Sequence, residues 1–252
     1  MTTSFESLTD NLKSFRFIRD TSEEKRDSRL LGKFKCLVGR VYKDYKDMHS
    51  PLGHLLKPFK VPVDWPVVAM LDFHLAEPQA IGFYAIDTVG RKYVIGEVWK
   101  NLNPRQLADE IIRAKKEKTW RIEKAYIDPL SKGDSKSLKN RFGCVEDTFD
   151  IIKRALTPHE ILFDVAEKDK KSGIVNVQTE LSGVNGLPAL FVFDDCARHR
   201  FEFKRYTYED GKPIDKDDHM MENLYRYTLT APKYISLEDA NPKNTFYDLG
   251  VA

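Results

Sequence analysis

The residues best suited to chemistry lie in a charged stretch near the C-terminus, from Lys216 to Tyr227. As a helix, this stretch places Asp218 and Glu222 one turn apart on one face, with His219 and Arg226 beside them. Two stacked carboxylates repel each other, at a cost of about 0.2–0.5 kcal/mol on a surface helix. We therefore expect either a nearby lysine that compensates the charge, or a cation held between these acids and others from elsewhere in the chain.

Two further aspartates stand at the ends of predicted strands. The continuous apolar run from Val67 to Leu71 is typical of a buried central strand, and it stops at Asp72. A second short apolar run, Ile122 to Ile127, ends at Asp128. An aspartate at a strand end is more often a turn former or a helix cap. If the two strands are neighbours, however, both carboxylates lie at one rim of the sheet, and a helix crossing there adds a third ligand.

An all-oxygen cluster of this kind has a defined chemistry. Hard oxygen ligands suit Mg²⁺ or Mn²⁺ better than zinc. Two such ions about 3.5–4 Å apart activate a water and stabilise the leaving oxygen in phosphodiester cleavage. His219 could orient a water or contact a phosphate, although a lone histidine is more often a surface or capping residue. The acids therefore predict nuclease chemistry.

The elements that must position these acids follow a distinctive order. After the first strand, two more strand-like runs joined by a glycine turn predict an antiparallel three-strand meander, and a helix then leads to the fourth strand. We predict an α/β fold in which this meander is joined by parallel strands in a mixed sheet flanked by helices. The remaining predicted elements are strands over Ala80 to Asp87, Tyr93 to Trp99, Ile161 to Val165 and Ala189 to Phe193, and helices over Arg105 to Lys118, Thr148 to Leu156, Glu167 to Val177 and Asp194 to Arg205.

The chain divides into three predicted parts. Residues 1–60 are a charged lead-in with a helix start at Ser22 and a short strand or two from Phe34 to Tyr42. Residues 61–230 form the main domain, and residues 231–252 are a tail that we expect to be partly disordered because it lacks periodicity.

Composition limits the function classes. The net charge of +2 arises from 41 basic and 39 acidic residues. The charge of the chain as a whole therefore gives no indication of nucleic-acid binding. Local lysines could still contact a phosphate backbone if the fold brings them to the acidic rim. These candidates for DNA binding are Lys132, Lys136, Lys168, Lys170 and Lys171.

The cysteines and the apolar runs indicate where the protein acts. Cys36, Cys144 and Cys196 are odd in number and lack CxxC spacing, which argues against a disulfide scaffold and against a thiolate zinc site. No signal-peptide pattern and no run of about 18 apolar residues is present. We expect a protein of a reducing cytoplasm, with no membrane partner.

Several short motifs, by their order and spacing, resemble the nuclease domain of phage terminase large subunits. They are Asp64-Trp65-Pro66, Tyr93 to Glu97, Tyr126 to Pro129, the Cys196 region with Phe201 to Tyr206, and Asp217 to Tyr227. The preceding Arg29 to Phe34 and Gly39 to Tyr42 resemble the segment that joins the family's ATPase to its nuclease. The resemblance covers the chain from about Glu24 to about Leu229.

The resemblance implies a ribonuclease H-like fold, a two-metal acidic site with Mg²⁺ or Mn²⁺, and cleavage of concatemeric viral DNA during genome packaging in the host cell cytoplasm. It implies double-stranded DNA, a terminase ATPase domain, the small terminase and the portal as partners. Asp72 and Asp128 are similar to the family's metal aspartates on the first and fourth strands. In the last motif, Asp218 and His219 match, while Glu222 stands where the family has aspartate. The third ligand is thus either Glu222 or Asp218.

No Walker A pattern, GxxxxGK[ST], occurs in the sequence, so we expect no ATP site in this chain. The chain is then either an excised domain or a protein that borrows a motor. Our preferred hypothesis is a metal-dependent DNA endonuclease with weak sequence specificity. The alternatives are a junction resolvase or transposase of the same fold, and a DNA-binding packaging module that does not cut.

Overall fold

The computed structural model describes residues 39–74, 78–128, 138–139 and 145–240. In chain order the strands and helices are β1 (Leu55–Leu56), β2 (Pro66–Asp72), β3 (Gln79–Ile86), β4 (Lys92–Lys100), α1 (Pro104–Glu117), β5 (Arg121–Ile127), β6 (Leu138–Lys139), β7 (Val145–Glu146), α2 (Thr148–Leu156), β8 (Leu162–Val165), α3 (Lys170–Ser182), β9 (Leu190–Phe193), α4 (Ala197–Arg205), β10 (Tyr208–Glu209), β11 (Lys212–Pro213) and α5 (His219–Leu229). A short 3₁₀ turn, Thr157–His159, follows α2.

Seven strands form the central sheet in the order β1-β9-β4-β3-β2-β5-β8. Strands β2, β3 and β4 pair antiparallel as a meander. On one side, β5 pairs parallel with β2, and β8 pairs parallel with β5. On the other side, β9 pairs parallel with β4, and β1 with β9. The predicted mixed sheet, a meander extended by parallel strands, is confirmed.

Helices cover both faces of the sheet. Along β3, Phe83 contacts Trp120 on the face of α1 and α2, with ring centroids 5.3 Å apart. The next residue, Tyr84, points to the opposite face and stacks on Tyr227 of α5 at 4.7 Å, as the alternation of a strand requires. All eight residues of β3 are buried. The centre of the sheet is therefore inaccessible, and chemistry is confined to its rim.

One close approach between helices determines how α3 and α5 lie. A Cβ added at Gly173 would come within 2.4 Å of the Tyr225 ring. Only glycine leaves room for the ring at this distance. The first turn of α3 is thereby brought against α5, which carries the acidic residues.

Most element boundaries match the expectations, and three differ. Helix α2 has the predicted bounds, and α1 opens at Asn103, where Asn103 and Gln106 form a reciprocal capping box. Helix α3 was predicted too early, because the Asp169 side chain accepts from Ser172 N and sets the start at Lys170. Helix α4 likewise begins at Ala197 and not at Asp194.

The third difference concerns the charged stretch that was predicted as a helix from Lys216. Helix α5 begins at His219, and Asp218 is its N-cap residue. Glu222 N donates to the Asp218 backbone oxygen at 2.7 Å, so the two acids still lie one turn apart.

The lead-in and the tail are described in part. Residues 41–61 contribute Val41, Tyr42 and Val61 to the main core, as expected of a segment that packs on the domain. In the tail, Tyr234 Oη donates to Asp64 Oδ2 at 2.8 Å. The predicted helix from Ser22, most of the predicted strand from Phe34, and residues 241–252 lie outside the described residues. Within the described part of the chain, no helix has the length and apolar character needed to cross a membrane.

Candidate active site

Asp72 and Asp128 lie side by side at one rim of the sheet. Strands β2 and β5 are parallel neighbours, with Leu71 opposite Ile127, and Asp128 N donates to Leu71 O at 3.1 Å. Both aspartates are buried, 2% and 5% exposed. The condition that the first and fourth strands are neighbours is met, and both aspartates lie at the same rim of the sheet.

Asp72 is flanked by two imidazoles. His219 Nδ1 lies 2.8 Å and His74 Nε2 lies 3.0 Å from the same carboxylate oxygen, Oδ2. Burial raises the pKa of Asp72, but the hydrogen bonds to His219 and His74 and the charge of Arg226 outweigh it and hold the pKa far below its usual value. Asp72 is therefore a carboxylate throughout the neutral range.

Arg226 is the centre on which three carboxylates converge. Its Nη1 lies 3.5 Å from Asp72 Oδ1, its Nη2 lies 3.3 Å from Asp128 Oδ1, and Nη2 also pairs with Glu222. The guanidinium is buried, with only 1% of the side chain exposed. Burial lowers the pKa of Arg226, but Glu222, Asp72 and Asp128 raise it further, so the group stays charged. Acids from three separate elements thus meet at one cation.

The acidic pair of α5 meets a second protein cation. Lys170 Nζ, from the first turn of α3, lies 2.7 Å from Glu222 Oε1 and 3.3 Å from Asp218 Oδ2. Burial and repulsion from Glu222 raise the pKa of Asp218 to about 6, while Lys170 opposes the shift. A nearby lysine, one of the two alternatives expected for these stacked acids, is present in the structure.

Glu202 on α4 positions the start of α5. Its side chain is buried, accepts from Met220 N at 2.7 Å and from Met221 N at 3.2 Å, and pairs with Arg198 Nε at 2.6 Å. Burial raises the pKa of Glu202 to about 7, with Arg198 opposing the shift. Because Glu202 satisfies these amides, the Asp218 side chain does not cap the helix and is available to a cation.

Glu97 in β4 has a similar capping role. Its carboxylate accepts from Arg198 N at 2.6 Å and His199 N at 2.9 Å at the start of α4. The His199 ring also lies 2.7 Å away through Nδ1. These contacts favour a structural role for Glu97, and they join β4 to α4 as Glu202 joins α4 to α5.

The lysines predicted to contact DNA differ in position. Lys168 and Lys171 are exposed beside the start of α3, whereas Lys170 points inward to the acids. Lys132 and Lys136 lie outside the described residues. DNA binding by any of these lysines stays a prediction.

The ligand atoms in the described residues form two compact groups. In each group, one atom from every residue lies within 4.8 Å of the others: Asp72, His74 and His219 in the first, and Asp215, Asp218 and Glu222 in the second. The carboxylates of both groups are suitable donors for Mg²⁺ or Mn²⁺, whereas the two imidazoles of the first group depart from the all-oxygen cluster expected from the sequence. The residues present therefore fit a divalent ion, with Asp128 beside the first group.

Three site residues were missed in the sequence. His74 lies two positions after Asp72, the spacing that returns a strand side chain to the same side. Arg226 lies four positions after Glu222 on α5. The sequence places it beside the acids but assigns it no role in the site. Asp215 precedes the helix in the turn. The spacing of His74 from Asp72, and of Arg226 from Glu222, is the sequence feature that could have identified these two residues.

Solved structures with a similar fold include large terminases. A large terminase from the thermophilic bacteriophage D6E matches with a TM-score of 0.56 at 17% identity, covering 76% of this chain and 45% of that one. A second crystal form of it matches with a TM-score of 0.58 at 16% identity, covering 76% and 44%. The nuclease domain of the P22 large terminase matches with a TM-score of 0.54 at 18% identity, covering 77% and 93%.

These likenesses confirm the resemblance at the level of the ribonuclease H-like fold. The chain spans less than half the length of the D6E protein and nearly all of the P22 nuclease domain. No protein-family model and no curated protein sequence matches the chain.

Proposed function

We propose that this chain is a metal-dependent DNA endonuclease that cleaves concatemeric viral DNA during genome packaging, with weak sequence specificity. The single observation that carries the proposal is the pairing of Asp72 and Asp128 at adjacent strand ends, with the acids of α5 opposite them. The shared fold with large terminases supports the packaging context.

The proposed roles follow from the positions of the side chains. Asp72 and Asp128 would hold a divalent ion, with Glu222, Asp218 or both completing the acidic site, and His219 would orient a water or contact a phosphate. A bound Mg²⁺ or Mn²⁺ would supply Lewis-acid stabilisation and an activated water. The negatively charged DNA would need partners of opposite sign, for which exposed Lys168 and Lys171 are candidates.

The whole-protein context is part of the same proposal. The chain would act in the host cell cytoplasm on double-stranded DNA. It would act together with a terminase ATPase domain, the small terminase and the portal, because it carries no Walker A pattern of its own. A motor would also raise the local concentration of DNA at the nuclease.

Hydrolysis of supercoiled plasmid DNA in Mn²⁺ or Mg²⁺ tests the activity. Asp72→Asn and Asp128→Asn are each expected to lower the cleavage rate by at least about 100-fold, because each removes a charged ligand. Asp164→Asn is the matched control, since Asp164 lies on the adjacent strand β8 but is exposed. Undiminished cleavage by purified Asp72→Asn would show that the activity does not depend on this site.

One observation favours a second candidate, a DNA-binding packaging module that does not cut unaided. Arg226 and Lys170 already pair with the site carboxylates. Metal-dependent thermal stabilisation without cleavage would support this candidate. A junction resolvase or transposase of the same fold is separated from a packaging nuclease by comparing branched with linear DNA, since a resolvase prefers the branched substrate.

A further inference from the structure

A row of aromatic rings and guanidinium groups runs from the candidate active site out along α4. We call it the α4 row, and its members are Trp99, Arg198, Phe201 and Arg205. Ala80 of β3 pairs with Asp72 on one side and with Trp99 of β4 on the other, so Trp99 lies at the level of the acidic rim. The Trp99 ring is 5.2 Å from the ring of His219, which contacts Asp72. The α4 row therefore begins beside the site.

Each member of the row contacts the next. The Arg198 guanidinium lies 4.1 Å from the centre of the Trp99 ring and 5.0 Å from the centre of the Phe201 ring. On the other side of Phe201 along the helix, the Arg205 guanidinium lies 5.0 Å from the same ring. Residues three and four positions apart share one face of a helix, so these three side chains form a continuous surface of α4.

The two arginines of the row differ in how their charge is compensated. Arg198 Nε lies 2.6 Å from Glu202, and Arg198 Nη2 lies 2.9 Å from Asp217. Its charge is neutralised and its plane is held in place. Arg205 is exposed and forms no ion pair with any residue that the structure describes. Arg205 therefore offers a positive charge to a partner outside the chain.

Phe201 is 38% exposed between these two guanidinium groups. A single exposed apolar residue is ordinary on a protein surface, but a ring interleaved with arginines beside an acidic site is a more specific arrangement. Aromatic rings and guanidinium planes are the platforms on which the bases of a single strand stack, whatever their sequence. In a duplex, neighbouring base pairs cover the faces of each base. Only an unpaired nucleotide can therefore present a base to Phe201.

We propose that the α4 row binds single-stranded DNA, namely the unpaired nucleotides that adjoin the bond to be cut. A base stacks on Phe201 while the exposed Arg205 moves to a phosphate, and Arg198 and Trp99 continue the platform towards His219. The inference rests on the proposed function for the identity of the nucleic acid. It deepens that function, because the strand that enters the acidic site is then locally unpaired DNA.

Binding of a dye-labelled thymidine oligonucleotide of about 10 nucleotides, followed by fluorescence anisotropy, tests the inference. The buffer contains EDTA, so no cleavage is needed. Phe201→Ala is expected to weaken binding about 10-fold, because one stacked base loses its platform. Tyr208→Ala is the matched control, since Tyr208 has the same exposed fraction, 38%, but lies in β10 outside the row. It should bind as the wild type does.

The salt dependence tests the role of Arg205. Arg205→Met is expected to lower the slope of log K against log salt by about 0.7, the value for one phosphate contact on a single strand. Lys204→Met is the control, because Lys204 already pairs with Asp47. An unchanged slope in Arg205→Met would overturn the phosphate contact.

Trp99 provides an independent signal. The oligonucleotide is expected to quench its fluorescence, and Trp99→Phe should still bind but lose most of the quenching. Phe201→Ala should leave the affinity for a blunt duplex of the same length unchanged. An equal loss for duplex and single strand would overturn the assignment to unpaired nucleotides. Tighter binding of a uridine oligonucleotide would overturn the assignment to DNA.

The failure of this inference can be told apart from the failure of the proposed function. A chain that cleaves plasmid, while Phe201→Ala and Arg205→Met bind the thymidine oligonucleotide as the wild type does, overturns this inference alone. A chain that binds the oligonucleotide through the α4 row but cleaves no plasmid supports the inference and contradicts the proposed function.

Discussion

Replacing Arg226 by methionine should destabilise the folded chain by about 3–5 kcal/mol, the usual cost of removing one partner from a buried ion pair. Arg226 is 1% exposed and faces Asp72, Asp128 and Glu222. Methionine fills much of the volume but leaves three carboxylates without their shared cation. For a chain of this size, the loss corresponds to a fall in Tm of about 6–20 °C.

Circular dichroism during heating, in a buffer that contains EDTA, measures the fall. Arg105→Met is the control, because Arg105 is exposed and its ion pair with Asp109 spans 3.4 Å. An exposed pair contributes little, so Tm should change by less than about 2 °C.

The same variant should respond more strongly to a divalent ion. Mn²⁺ can replace the lost positive charge between the carboxylates, and binding at 100 times Kd stabilises the folded state by about 2.7 kcal/mol. We therefore expect a larger rise in Tm with Mn²⁺ for Arg226→Met than for the wild type. A variant that melts within about 2 °C of the wild type in EDTA would refute the reasoning, since the three acids would then not depend on the guanidinium.

Three further predictions concern residues around the site. The pKa of Glu202 is raised from 4.5 to about 7, so the folded state retains a proton that the unfolded state releases. Stability should fall as pH rises from about 4.5 to about 7, and Glu202→Gln should reduce that fall in urea titrations. Gly173→Ala should destabilise the chain by about 1–3 kcal/mol, because the new methyl group meets the Tyr225 ring. His74→Ala should weaken Mn²⁺ binding about 10-fold in calorimetry.

Each of these has a distinct contrary result. A pH profile of stability unchanged by Glu202→Gln would mean that another group carries the proton. An alanine normally stabilises a helix relative to glycine by about 1 kcal/mol, so a stabilised Gly173→Ala would show that the ring can move aside. His159→Ala is the control for His74→Ala, since His159 lies in the 3₁₀ turn after α2. Equal Mn²⁺ affinities for the two histidine variants would exclude His74 from the site.

The sequence was most informative where one local pattern decides the structure. The apolar runs before Asp72 and Asp128 each predict a strand, but the sequence states the pairing of these strands only as a condition, which the structure meets. The amphipathic pattern likewise predicts α5, although its start at His219 depends on Glu202, a residue of another helix. A contact between distant elements cannot be derived from the spacing within either one.

The residues that surround the acids also could not be identified from local sequence patterns. The repulsion between Asp218 and Glu222 predicts a compensating cation, but it does not specify which one. Lys170 is one of three lysines within four residues, and only the packing of Gly173 on Tyr225 selects it. His74 escapes notice because it lies beyond the end of the strand, where the spacing from Asp72 no longer determines the side on which a side chain lies. Such assignments need the tertiary structure.

Two glutamates in series connect the sheet to the site. Glu97 in β4 caps α4, and Glu202 on α4 caps α5, which carries His219. Each of these carboxylates joins two elements through charge-assisted hydrogen bonds, which are shorter and stronger than neutral ones. The contact between His219 and Asp72 therefore depends on β4 through the starts of two helices. We expect a substitution that displaces β4 to change the distance between His219 and Asp72 as well.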